Sequence, residues 1–377
     1  MKKNTNHKIT FPSLLEKVIV DIWGGSGEQL NKLQLKNTRT ALSNIRRVYR
    51  YRSEHGVKHP TRINYKIKKN RAGYLAAFGE KHAYLSYLHL KRVQSKNPEA
   101  IPKPRGKKRE LVITSLGAGA CIELYGIRLY YLLDSFSQPL HLKLNSIEKE
   151  SEWNSSQHIV FTRVLKSFFP KVDVDPTNIK ADLKEDVIHI LANYYDNLIC
   201  TDILLIYNVI NEIPSSCTSR VWKNVRFLLD IMHRPTLILM MEPSAPRAEP
   251  RIYSIKEQIL QQSDLIDMSK EEAFHFIDEP VCIKNDFSTD ELNSRLFGAG
   301  KDGLRPEFNT YIERAHMSAL KKPDSPISIE QIAQQLSLLG TKRVRKGPSP
   351  YLRPRIRKKD GEQFTFVSVS PEWKLKQ

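Results

Sequence analysis

The stretch Leu111-Val112-Ile113-Thr114-Ser115-Leu116 runs directly into Gly117-Ala118-Gly119 and then into Ala120-Cys121-Ile122-Glu123. A short apolar, β-branched run bounded by glycines reads as a buried strand. Glycine permits left-handed backbone and lets the chain approach a ligand closely, and the turn delivers that ligand to the free N–H groups of a following helix. A strand, a tight glycine turn and a helix in this order predict an α/β architecture with a mostly parallel sheet and a ligand site at the carboxyl ends of its strands.

The residues that follow keep this rhythm. Strands are expected at Glu110–Leu116, Leu140–Ile147, Ile179–Asp182, Ile203–Asn208 and Thr236–Glu242, with helices near 120–134, 155–168, 184–197 and 217–232. Beyond Pro250 the pattern weakens to helices at 254–263, near 306–320 and at 328–338, and a last strand at Phe364–Ser368. Upstream, Ala41, Ile45, Val48 and Tyr49, then Tyr74, Leu75, Phe78, Tyr84, Leu85, Tyr87 and Leu88, recur at helical spacing. Three prolines between Asn97 and Gly106 break regular structure and serve as a linker. The expected division is a basic helical domain at 1–105, a Rossmann-like domain at 106–280 and a C-terminal extension with a basic arm at 281–377.

Polar residues close the predicted strands, at the rim where open α/β sheets bind ligands. Glu148 follows the second strand and can accept hydrogen bonds from two ribose hydroxyls, with Glu150 as an alternative. Asp182 ends the third strand. Asn208 and Glu212 follow the fourth, and Glu242 ends the fifth at the same rim. An NAD-dependent oxidoreductase would show Gly-x-Gly-x-x-Gly, but Ile122 stands where the last glycine belongs. The four cysteines form no C-x-x-C or Cys/His cluster, so no metal site is expected.

The formal net charge of +19 is unevenly distributed. Between Asn31 and Glu110, 22 Lys and Arg face only four acids, and Thr341 to Asp360 adds nine basic residues against one acid. These arms flank an acidic middle and predict contact with nucleic acid. Arg46, Arg47, Arg50, Lys68, Lys69 and Arg71 are the candidates in the first arm; Arg343, Arg345, Arg355 and Arg357 are those in the second. Tyr49, Tyr51, Tyr65 and Tyr74 lie among the cations, as stacking on unpaired bases requires. No apolar run reaches membrane-spanning length and no secretory leader is evident, so a cytoplasmic protein with no membrane partner is expected.

Taken together, Gly117-Ala118-Gly119 opening a helix with Glu123 in its first turn, an acid after strand two, Ala181-Asp182-Leu183 after strand three and a polar end to strand four resemble class I S-adenosylmethionine-dependent methyltransferases over roughly 110–245. Within that superfamily, Tyr207-Asn208-Val209-Ile210-Asn211-Glu212-Ile213-Pro214 and Met241-Glu242-Pro243-Ser244 are similar to the methyltransferase-like assembly factors of mitochondrial and bacterial small ribosomal subunits. The resemblance implies a Rossmann-like class I methyltransferase sheet and S-adenosyl-L-methionine as cofactor. It places Gly117, Ala118 and Gly119 at the methionine, Glu148 at the ribose, Asp182 and Leu183 at the adenine, and Asn208 on the methyl-bearing side. It favours RNA over DNA as partner, with the ribosome as one setting, and leaves two functions open: methylation of RNA or an RNA-associated substrate, and a non-catalytic RNA-binding assembly factor. Cys121 departs from the commonest G-x-G-x-G form, and no Asn/Asp-Pro-Pro-aromatic or Pro-Cys motif follows strand four, so no catalytic residue is assigned.

Overall fold

The computed structural model describes residues 11–24, 29–55, 63–134, 139–168 and 171–243, the strands 275–284, 314–322, 352–356 and 365–368, and the single residues 252, 254 and 296. Its first part is helical: α1 (Phe11–Ile22), α2 (Lys32–His55) and α3 (Lys68–Lys96). Then come β1 (Glu110–Leu116), α4 (Glu123–Leu133) and β2 (His141–Glu148). Next are α5 (Trp153–Ile159), a π-helical turn at Val160–Leu165, α6 (Lys166–Phe168), β3 (Asp173–Lys180), α7 (Ile188–Ala192) and α8 (Tyr195–Leu198). Then follow β4 (Ile203–Tyr207), α9 (Thr218–Ile231), β5 (Thr236–Pro243), β6 (His275–Lys284) and β7 (Arg314–Lys322), with β8 (Leu352–Ile356) and β9 (Thr365–Ser368) as a separate antiparallel pair.

The main sheet has the order β3-β2-β1-β4-β5-β7-β6. The first five strands are parallel, while β7 runs antiparallel to both β5 and β6. This is a Rossmann-like α/β sheet in which chain order reverses beside β1, opening a crevice at the carboxyl ends of β1 and β4. Strand periodicity splits the core into two layers. Leu111 and Ile113 of β1, Ile203 and Leu205 of β4, and Leu237 and Leu239 of β5 join the core beneath α1 to α4. Leu116, Leu204, Ile206, Ile238 and Met240 join the core beneath α7 to α9.

The basic helices pack onto the sheet. Leu75, Phe78, Ala83 and Leu90 of α3 share one continuous core with α4 and the sheet. Two glycines make this packing possible. A Cβ on Gly126 of α4 would lie 1.8 Å from the Ala83 carbonyl oxygen, and one on Gly73 of α3 would lie 2.8 Å from Ala41 of α2. The proline-rich linker is packed down as well: Ala100 and Ile101 are buried, and the Tyr131 hydroxyl donates to Pro102 O at 2.7 Å.

Three expectations are corrected on the sheet. β3 starts six residues earlier than Ile179 and contains Pro176, which an edge strand tolerates because only one side of it is paired. The segment expected as a helix near 306–320 contains β7, because pairing with β5 from Thr236↔Lys322 to Pro243↔Ala315 overrides the helical propensity of its Ala, Met, Leu and Lys. β6 was not expected; Pro280 falls in a stretch with two register shifts, which hides its alternation. Since β6 crosses residue 280 and β7 completes the sheet, the expected boundary there falls inside the sheet. Of the expected helix at 254–263 only Ser254 is described, and the one at 328–338 lies outside the described residues.

Candidate functional site

A cleft of about 260 Å³ opens where the strand order reverses. Its floor is the turn after β1. Gly117 (φ +61°) and Gly119 (φ +50°) both adopt left-handed backbone, as does Cys121 (φ +55°). Gly117 N donates to Ile147 O at 2.9 Å, tying the turn to β2. A Cβ on Gly117 would lie 2.6 Å from Val209 Cγ2, so conformation and space both demand glycine. The absence of a third glycine does not open the turn, since Cys121 takes the left-handed geometry itself. Its thiol is buried among apolar neighbours near Glu123 and Glu148, which pushes its pKa well above the ordinary value.

Glu148, the last residue of β2, is held by two backbone donors. Gly119 N–H donates to its Oε2 at 2.9 Å and Glu150 N–H to its Oε1 at 3.1 Å. Desolvation raises its pKa, partly offset by those donors. Gln157 braces the same loop, donating to Gly119 O at 2.7 Å and to Ser146 Oγ at 2.8 Å. At the end of β3, Asp182 is paired with Lys149 at 2.7 Å. Burial works to raise the Asp182 pKa, but the Lys149 ammonium and the Lys184 N–H outweigh it and hold the carboxyl below its usual range.

The predicted residues Gly117, Ala118, Gly119, Glu148, Asp182, Leu183, Asn208 and Glu212 all line this cleft. Glu150, the alternative to Glu148, lines it too. Glu242 does not. It lies within β5, opposite His316 of β7, and is fully buried; its Oε1 accepts the Ile210 N–H at 2.6 Å, fastening the loop after β4 from below.

Sequence reasoning missed the roof of the cleft, which comes from the basic helical part. Ile63 and Tyr65, from the turn before α3, and Tyr74 of α3 face Trp153 of α5 across the opening. Tyr65, Tyr74 and Trp153 form a cluster with ring centroids 5.2 to 5.6 Å apart. Arg71 holds this turn by donating from Nη1 to Tyr65 O at 2.7 Å and Lys66 O at 3.0 Å. Lys66 Nζ lies 3.9 Å from Glu150 across the mouth. The proximity of tyrosines to cations was legible; that they face inward was not.

The first basic arm divides accordingly. Arg47, Lys68 and Lys69 are exposed. Arg46 and Arg71 are buried, at 2% and 5% exposure, so neither presents its guanidinium to a phosphate. Tyr65 and Tyr74 are half-buried and pack in the aromatic cluster that lines the cleft. The side chains of Tyr49, Arg50, Tyr51 and Arg355, and all of Arg343, Arg345 and Arg357, lie outside the described residues. Among the described residues no group of three His, Cys, Asp or Glu is placed to hold a metal ion, and no helix is long and apolar enough to cross a membrane.

The chemistry of the lining discriminates between ligands. Five carboxylates (Glu123, Glu148, Glu150, Asp182, Glu212) face two lysines, Lys149 and Lys184. Glu123 occupies the first turn of α4, where a diphosphate would need positive potential. Such a lining opposes a dinucleotide and favours a cationic ligand.

No protein-family model and no curated protein matches the sequence. Solved structures align with it. One is named as an S-adenosylmethionine-dependent methyltransferase from Streptococcus mutans, at 13% identity and a TM-score of 0.35, over 60% of this chain and 48% of that one. Another, named as a class I S-adenosylmethionine-dependent methyltransferase from Listeria monocytogenes, aligns at 12% identity and a TM-score of 0.36 over 85% of this chain and 83% of that one. Human N-acetylserotonin methyltransferase, solved with S-adenosylmethionine, aligns at 11% identity and a TM-score of 0.35 over 82% and 71%. The chain thus spans about half the length of the first of these proteins.

Proposed function

We propose that the cleft binds S-adenosylmethionine and that the chain is a methyltransferase acting on RNA or an RNA-associated substrate. The observation that carries the cofactor reading is the Glu148 carboxylate, locked by the Gly119 and Glu150 N–H groups beside a left-handed glycine turn in an acid-lined cleft. A carboxylate so fixed keeps lone pairs for a ribose diol. Gly117, Ala118 and Gly119 would hold the amino-acid end, Asp182 and Leu183 the adenine, and Asn208 the side from which the methyl leaves. The surplus of carboxylates complements the positive charge of a sulfonium, and the aromatic roof shields it from water. When bound, the cofactor supplies an electrophilic methyl group. Methyl transfer then asks of the protein mainly in-line positioning and a route for any proton.

Support for a nucleic-acid partner is the charge distribution, with Arg47, Lys68 and Lys69 exposed on the same body as the cleft. A second reading, a non-catalytic assembly factor of the same fold, is favoured by the absence of a recognised catalytic motif after β4. Calorimetry with S-adenosylmethionine and with NAD tests the first step. Heat with the former alone, abolished in Glu148→Ala, is the expected result; no heat at millimolar cofactor refutes the reading. Loss of a methyl mark from cellular RNA in the Asn208→Ala strain separates enzyme from assembly factor.

A further inference from the structure

A histidine stands behind the cleft wall. His82, on the inner face of α3, is 3% exposed and stacks on Phe78 with ring planes 5° apart. Its Nδ1 lies 3.3 Å from Glu123 Oε1, although the approach is not aligned as a hydrogen bond. Its Nε2 lies 3.2 Å from Asn208 Nδ2. Asn208 itself is strained into left-handed backbone (φ +58°) immediately after β4, with its N–H donating to Met241 O at 2.8 Å. A helix of the basic part is thus linked by one ring to the first turn of α4 and to the end of β4.

We propose that His82 is a positioning residue that sets which way the Asn208 amide faces in the cleft. A bare Nδ1 lone pair would face the Glu123 carboxylate and be repelled, so in the neutral ring the proton sits on Nδ1. Nε2 is then an acceptor and takes a hydrogen bond from the Asn208 amide nitrogen. That fixes the amide, and its carbonyl oxygen is the atom left for the cleft. The wall at Asn208 is therefore an acceptor, matched to a hydrogen-bond donor or to polarised, partly positive C–H groups on a ligand, and mismatched to a carbonyl or phosphate oxygen. Calling this the methyl-bearing side rests on the cofactor reading above; the tautomer and the amide orientation do not.

Two measurements on the full chain test this. Long-range proton–nitrogen correlation of the imidazole nitrogens, with His82 assigned by the signals lost in His82→Gln, should show Nδ1 protonated and Nε2 bare. In Asn208→Asp, which offers Nε2 only acceptors, Nε2 should become protonated as well, while Nδ1 keeps its proton toward Glu123. A wild-type ring protonated on Nε2 with Nδ1 bare overturns the proposal. The second measurement is S-adenosylmethionine affinity in His82→Gln and His82→Phe. Glutamine can place an amide oxygen where Nε2 stood and should keep affinity within about threefold, whereas phenylalanine keeps the stacking on Phe78 but loses the acceptor and should weaken binding roughly tenfold. The opposite order means His82 only packs, and overturns the proposal. If no variant or parent binds the cofactor, the cofactor reading fails and the nitrogen spectra decide the tautomer alone.

Discussion

Replacing Gly117 with alanine tests how the cleft floor is built, and its cost can be worked from two separate terms. At φ +61° an alanine costs about 1 kcal/mol relative to glycine. Its Cβ would also meet Val209 Cγ2 at 2.6 Å, and forcing a methyl into a packed site costs about 1 to 3 kcal/mol. Gly117→Ala should therefore lose about 2 to 4 kcal/mol, a large share of the roughly 5 to 15 kcal/mol that holds a typical domain. The two terms separate in a double-mutant cycle. Val209→Ala removes the clashing methyl, so the double variant should be more stable than the sum of the single effects by at least about 1 kcal/mol, leaving only the backbone term. Urea unfolding followed by tryptophan fluorescence is the assay; Trp153, which lines the cleft, and Trp222, in the core beneath α9, report on opposite faces of the sheet. A Gly117→Ala cost below about 0.5 kcal/mol, or strict additivity with Val209→Ala, would refute the close-packed turn.

Other consequences can be checked alongside it. Glu148 is raised above the ordinary glutamate value by burial, so its contribution to stability is fully present in acid and lost as pH rises through its folded-state value. Cofactor binding has the opposite sign, because the ionised form accepts the diol: affinity should fall on acidification at a pH above 4.5, and Glu148→Gln should remove that limb. Asp182, held low by Lys149, stays ionised across the same window and should leave the profile unchanged. Neutralising Arg47, Lys68 and Lys69 together should reduce the salt slope of single-stranded RNA binding by about 2, with unfolding curves preserved. Arg71→Ala should instead cost about 2 to 4 kcal/mol and weaken cofactor binding, because it releases the turn carrying Tyr65; an unchanged melting curve would count against that. Cys121 should resist alkylation at neutral pH in the folded protein and react on denaturation, which mass spectrometry reads directly.

The parallel half of the sheet was legible because its strands are buried on both faces and read as unbroken apolar runs bounded by turn residues; β1, β4 and β5 fall within a residue or so of expectation. The cleft residues were legible for a related reason, since strand ends position whatever polar residue follows them. The edges were not. β3 is polar and contains a proline, and β7 has helix-forming composition; for both, the partner strand rather than the local sequence decides. The inward turn of Tyr65 and Tyr74, and the burial of Arg46 and Arg71, depend on how α3 packs against its neighbours. Charge runs carry no information about that packing.

The contact between Gly126 and Ala83 bears on the order in which this molecule can be made. α1 to α3 precede α4 in the chain, so the part of α3 that meets Gly126 is covered only after α4 has been made, and the sheet closes only with β7, more than 220 residues after α3 ends. Before α4 is made, α3 has only α1 and α2 to pack against, and the side that meets α4 is bare. A fragment cut at the linker would carry that predicament permanently on both sides: helices without a floor, and a cleft without its roof.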